Sequence, residues 1–137
     1  MRVYVAGSIH EIEKVRVVRD AILEHGHIIT FDWTGDEGEQ RREWVTDPTA
    51  AMRGTALARR ERAAVQSADA VVAVLSPTQS QRGTHVELGM AVAFDRPIYL
   101  LNHEGHGSVF WTLPQVRRVD GLNHLLRELV FLMRGTA

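Results

Sequence analysis

The sequence predicts an α/β fold: one doubly wound domain over residues 1–137, built on a five-stranded parallel sheet. Three observations predict it. Short apolar, β-branched runs alternate with segments whose apolar residues recur at helical spacing. Glycines and polar caps stand where strands would turn into helices. The length of 137 residues suits a single hydrophobic core, and no internal repeat, low-complexity stretch or linker divides it. Right-handed crossovers make such strands parallel, and five of them most often take the flavodoxin-like, Rossmann-like order 2-1-3-4-5.

Arg2 to Ala6 is a buried first strand that stops at Gly7. Ser8-x-x-Glu11 spells a capping box, in which each side chain would satisfy the other's backbone N–H. Ile12, Val15, Val18 and Ile22 follow at helical spacing, and Gly26 ends that helix. His27 to Asp32 forms the second strand, followed by a polar segment from Trp33 to Asp47. Asp47-Pro48 suits a helix start, and Gly54 implies a break or two helices between Pro48 and Ala68. Asp69 to Leu75 is the third strand, Ser76 to Gly83 a loop, and Thr84 to Phe94 a helix. Pro97 to Leu101 is the fourth strand, and Asn102 to Leu113 a long loop rich in His and Gly. Gln115 to Val119 makes a short fifth strand. Leu122, Leu125, Leu126, Leu129 and Val130 mark a closing amphipathic helix.

Bulk properties exclude several classes of function. Sixteen basic residues against seventeen acidic ones give a net charge of −1, without the basic stripe of a nucleic-acid binder. The absence of cysteine removes disulfides, thiolate metal sites and a cysteine nucleophile. The first residues run directly into a strand, which leaves no room for a signal peptide, and no apolar run would span a bilayer. A cytoplasmic protein without membrane contact is expected.

In open parallel sheets ligands bind beyond the carboxyl ends of the strands. Those ends are Ala6-Gly7-Ser8, Asp32-Trp33, Leu75-Ser76 and Leu101-Asn102, so the site should be assembled from them. Gly7-Ser8-Ile9 leads into a helix amino terminus, which either serves only as a cap or receives a phosphate or sugar hydroxyl. Glu87 in the first turn of its helix either caps it, through Thr84-x-x-Glu87, or attacks an anomeric carbon. Glu61 shares the stripe of Leu57, Val65 and Ala68, so it either ends that stripe at the surface or serves a cleft that needs a carboxyl. Trp33, Trp44 and Trp111 lie in or beside loops, where each either pins the loop to the core or stacks on a nucleobase. The seven histidines include His103-Glu104-Gly105-His106, which lacks H-E-x-x-H spacing, so no metal is expected. No G-x-G-x-x-G or P-loop supports dinucleotide or ATP binding, and no G-x-S-x-G supports a serine nucleophile.

Three segments together resemble the nucleoside 2-deoxyribosyltransferase superfamily, which includes the 2′-deoxynucleoside 5′-monophosphate N-hydrolases. They are Val3-Tyr4-Val5-Ala6-Gly7-Ser8-Ile9, Ser67-Ala68-Asp69-Ala70-Val71-Val72-Ala73, and Gly83-x-x-x-Glu87-Leu88-Gly89-x-Ala91. The resemblance implies Glu87 as nucleophile with Tyr4 beside it, and Gly7, Ser8 and Ile9 at the sugar end or 5′-phosphate. It puts Glu61 where the family carries an aspartate. Transferases carry an acid where this chain has Gln81, and the nucleotide hydrolases a serine there, with Ser80 one position away.

The expected activity is therefore cleavage of the N-glycosidic bond of a nucleoside or 5′-monophosphate, without a cofactor. Glu87, Glu61 and Tyr4 form the catalytic set. Gly7, Ser8, Ile9, Asp32, Trp33, Ser80, Arg82, Gly83 and Asn102 form the substrate-binding set. Base exchange by a transferase, a non-catalytic nucleotide sensor, and cleavage of a nicotinamide nucleotide remain the alternatives. Phe110 and Trp111, with no apolar stripe to join, and the family's habit of building sites at subunit interfaces predict a homodimer or a multiple of one.

Overall fold

Among the described residues, the apolar runs form one five-stranded, all-parallel sheet in the order β2-β1-β3-β4-β5. The strands are β1 (Arg2–Gly7), β2 (Ile28–Ile29), β3 (Ala70–Val74), β4 (Ile98–Leu101) and β5 (Val116–Arg118). The helices are α1 (Ile12–Glu24), α2 (Pro48–Ser67), α3 (Arg82–Ala93) and α4 (Leu122–Gly135). This computed structural model describes residues 1–35, 48–79, 81–104 and 107–135, and for 48–51 the backbone alone.

The predicted order follows from burial. β1, β3 and β4 are flanked on both sides, and β3 and β4 are buried at every position, as parallel strands covered by helices must be. Val3 lies opposite Ala70 and Gly7 opposite Val74, so β1 and β3 share a full register across the switch point. α1 packs on β1 and β3 and against α4, while α2 and α3 pack on each other and on β1. Gly7 is where α1 comes closest: a Cβ there would stand 2.5 Å from Val15 Cγ2 and 3.4 Å from the Val74 carbonyl. By the period of two along a strand, Tyr4 and Ala6 then point the other way, toward α3.

Four expectations need correction. Gly54 does not break its segment, because α2 runs unbroken from Pro48 to Ser67; a helical glycine costs only about 1 kcal/mol. β2 is two residues rather than six, since Trp33 leaves the sheet edge and tucks under, its indole N–H donating to the Val5 carbonyl at 2.8 Å. The Ser8-x-x-Glu11 box closes only on one side: Ser8 Oγ accepts from His10 N at 3.2 Å, heading a short 3-10 turn at Ile9–Glu11, and α1 starts after it. The Glu11 carboxylate turns instead to Lys14 at 2.9 Å. Trp111 is not stranded on a loop but joins the core, 9% exposed, and stacks on His85 of α3 at 6.3 Å. Its neighbour Phe110 is the exposed one, at 58%.

No helix among the described residues is long and apolar enough to cross a membrane.

Candidate active site

The third helix begins at Arg82, two residues earlier than the apolar spacing suggests, with Gln81 at its cap position and no side-chain capping bond. That shift decides what Glu87 can be. Thr84 is the third helical residue rather than the cap, and Glu87 stands in the second turn, beyond the reach of a capping box. Glu87 is instead 5% exposed and accepts a hydrogen bond from the Tyr4 hydroxyl at 2.7 Å. Tyr4, wholly buried in β1, is held there by the strands on either side, so its phenol fixes the carboxylate from below. An ionisable group buried this deeply needs a partner or a purpose.

Above this pair opens a cleft of about 170 Å³. Gly7, Ser8, Ile9 and His10 form one wall, and Gln81, Arg82, Gly83, Thr84 and Glu87 the other. Both walls are tied down. Ser76, at the end of β3, accepts through its hydroxyl oxygen from Thr78 N at 3.3 Å and Gln79 N at 3.1 Å. Its carbonyl accepts from Gln81 Nε2 at 2.7 Å, which folds the loop back to start α3. Across the cleft, Lys14 bonds Glu11 and holds its carboxyl below the ordinary range against the opposing effect of burial, with the Ser76 hydroxyl adding in the same direction. Glu11 thus faces both Lys14 on its own side and the loop that carries the second wall.

Of the sequence-derived site residues, the structure brings together Tyr4, Gly7, Ser8, Ile9, Arg82, Gly83 and Glu87. Glu61 lies on the buried stripe of α2, 9% exposed, and outside the lining of the cleft. The stripe reaches the interior rather than ending at the surface, and α2 packs on α3 and β1, the elements carrying Glu87 and Tyr4. Asp32 sits at the far edge, beyond β2. One of its oxygens accepts from Thr34 N at 3.0 Å and from the Thr34 hydroxyl, the other from Arg19 at 2.9 Å. Burial pushes its pKa up, but the bonds from Thr34 and Arg19 outweigh that and bring it below the ordinary value. Asp32 pins a turn. Trp33, 2% exposed, is a core residue and offers no face to a base.

Asn102 also stands apart from the cleft. With φ at +54° it turns the chain out of β4 into a separate hollow shared with Lys14, Pro77, His103, Glu104, Val119 and Asp120. Ser80, Trp44 and His106 lie outside the described residues. Three cleft residues lay outside the sequence-derived site set, His10, Gln81 and Thr84. For His10 the signal was its place directly after Gly7-Ser8-Ile9. Thr84 was hidden by its apparent role as a cap.

One comparison with known proteins shows the family, and another the fold. The family model described as nucleoside 2-deoxyribosyltransferase matches residues 3–115. Among solved structures, the CMP N-glycosidase BcmB of Clostridium botulinum superposes with a TM-score of 0.60 at 20% identity. That match covers 95% of this chain and 99% of the other. The 2-deoxyribosyltransferase of Bacillus psychrosaccharolyticus superposes with a TM-score of 0.70 at 14% identity, covering 96% of each chain. At such identities the likeness is one of fold. No curated protein sequence matches.

Proposed function

The chain belongs to the nucleoside 2-deoxyribosyltransferase family, and from that premise we propose that it hydrolyses the N-glycosidic bond of a nucleoside 5′-monophosphate. The observation that carries this reading is the buried Tyr4–Glu87 hydrogen bond of 2.7 Å at the cleft. Tyr4 fixes the carboxylate where the cleft opens, and an anomeric carbon seated in the cleft would meet it there.

The Glu87 carboxylate attacks C1′ as the C1′–N bond breaks, through an oxocarbenium-like transition state. The bonding pair leaves on the base nitrogen, which takes a proton from Glu61. Water then attacks C1′, returns a proton to Glu61, and frees Glu87 and the sugar 5-phosphate. The buried place of Glu61 on α2, which packs on α3 and β1, supports this role, since those two elements carry Glu87 and Tyr4. Ser8, Arg82 and Gly83 receive the 5′ end, Arg82 through its charge. The chemistry needs no metal or organic cofactor.

Gln81 separates this reading from base exchange. The neutral amide, bonded to the Ser76 carbonyl, adds no negative charge to the cleft, which favours an anionic 5′ group over a bare nucleoside. Incubation with nucleosides, their 5′-monophosphates and a nicotinamide dinucleotide, with free base measured, tests the proposal. Base release fastest from a monophosphate, with no acceptor base added, supports it. Release that requires a second base makes the protein a transferase, and none at all makes it a binding module.

We further propose that a second copy covers the cleft's apolar flank. Val86 beside Glu87, and Val109 and Phe110 on the turn that packs against α3 through Trp111, are 63%, 75% and 58% exposed. Exposed apolar side chains on α3 and on the turn that packs against it suit an interface between identical chains. Light scattering at micromolar concentration should give at least twice the 15.4 kDa chain mass; a monomer that keeps its activity on dilution refutes the assembly.

A further inference from the structure

One buried polar group at the cleft is left unanswered by the protein itself. Thr84 is 2% exposed and lines the cleft, yet its hydroxyl has no hydrogen-bond partner among the described residues. Threonine in a helix usually returns its hydroxyl to the carbonyl one turn back, and Thr84 does not. Buried polar groups are nearly always bonded, so an orphan calls for an explanation. Its position supplies one. Thr84 and Glu87 stand three residues apart on one face of α3, so the hydroxyl lies about one turn toward the helix start from the carboxylate.

That start is itself unanswered. The first intrahelical bond runs from His85 N to the Gln81 carbonyl at 3.0 Å, which leaves the N–H groups of Arg82, Gly83 and Thr84 without helical acceptors. The cap residue Gln81 gives them no side-chain bond. Three backbone N–H donors, the positive end of the helix dipole, the Arg82 guanidinium and a buried hydroxyl able to donate therefore belong to one cleft. Only an acceptor-rich, negatively charged group would satisfy them together. A fully ionised phosphate ester has no proton to give and several oxygens to receive.

We propose that Thr84 is a specificity-determining residue whose hydroxyl donates to the 5′-phosphate of the substrate, so that it distinguishes the monophosphate from the nucleoside. This rests on the N-glycosidase reading for the substrate class. It explains why the free protein carries the orphan: the partner arrives with the ligand.

Thr84→Val keeps the branched shape and removes only the hydroxyl. KM for cytidine 5′-monophosphate should rise roughly 10- to 100-fold, the range of one hydrogen bond to a charged group. The kcat and the KM for cytidine should stay within about twofold, and the midpoint of thermal unfolding should not fall, because no bond within the protein is lost. Thr84→Ser should restore the KM. Equal weakening for nucleoside and monophosphate, or a lowered midpoint with an unchanged KM, overturns the assignment. Calorimetric titration of cytidine 5′-monophosphate into Glu87→Gln protein, with and without Thr84→Val, reads the contact without turnover. Weaker binding with the added substitution supports the inference even if wild-type protein releases no base; identical binding refutes it even if base is released.

Discussion

Two hollows open at the carboxyl edge of the sheet, one against α3 and one beside α1, and they treat polar groups in opposite ways. The α3 cleft is the smaller, about 170 Å³ against about 510 Å³. Four of its polar side chains are withdrawn from water, Ser8, Gln81, Thr84 and Glu87, while His10 and Arg82 stay exposed. In the hollow around Asn102 the charged groups remain in solvent, with the Lys14 side chain 57% exposed and that of Asp120 91%. Charges in water are screened and already satisfied, whereas donors and acceptors in a desolvated cleft act at full strength on whatever enters. On the function proposed above, desolvated polarity and not volume marks the place of the chemistry.

The largest expected effect breaks the α3 cleft at its centre. Glu87→Gln should preserve the fold, since an amide still accepts from Tyr4, yet lower kcat by about 10⁴-fold, as loss of a covalent catalyst does. Steady-state release of free base measures it, with circular dichroism to confirm folding. A variant with wild-type kcat removes Glu87 from the mechanism.

Next comes Tyr4→Phe, which leaves the Glu87 oxygen without its phenol donor in a buried place. A loss of roughly 10-fold in kcat is expected from one such bond. If kcat holds while only the unfolding midpoint falls, Tyr4 is a strut and not part of the catalytic pair.

At the opposite edge of the sheet lies a buried polar group of another kind. His27 is 5% exposed, and neither ring nitrogen has a hydrogen-bond partner among the described residues. Burial, reinforced by the nearby amino terminus and His25, pushes its pKa below 6.5. A base whose folded pKa is depressed takes up its proton more readily in the unfolded chain. The contribution to stability is thus whole above the unfolded value near 6.5 and is lost as pH falls below it. The unfolding midpoint should drop between pH 7.5 and 5.5, and His27→Phe should flatten that part of the profile. An unchanged slope in the variant assigns the acid sensitivity elsewhere.

The smallest effect sharpens the contrast between the hollows. Asn102→Ala should change kcat/KM by less than about twofold, because Asn102 opens onto the solvated hollow and not the cleft. A loss of tenfold or more would bring the two hollows into one site.

The fold was legible because its strands are buried on both faces. Ala70 to Val74 reads as a strand in any register, and the helix stripe of Leu57, Glu61, Val65 and Ala68 is buried as its spacing implies. The edge was harder. β2 ends early because the Trp33 indole turns to the Val5 carbonyl of β1 and Asp32 to Thr34 and Arg19, and the contacts to Val5 and Arg19 join residues 28 and 13 apart in sequence. At the candidate site, spacing and family resemblance pointed to Glu87 and the Gly7-Ser8-Ile9 turn, and the resemblance alone to Tyr4; the structure brings them together at one cleft. Thr84 was not legible in this way. The motif around it suits a cap equally well, and only the true start of α3 shows that Thr84 is not the cap and lines the cleft instead.

The central claim is that Glu87 becomes bonded to the sugar. Rapid acid quenching of the protein during turnover of a 5′-monophosphate, followed by peptide mapping by mass spectrometry, tests it most directly. The account predicts a sugar 5-phosphate ester on the peptide containing Glu87, absent from Glu87→Gln protein. Base release at the full rate with that peptide unmodified at every quench time, or with the sugar on a different residue, would contradict it.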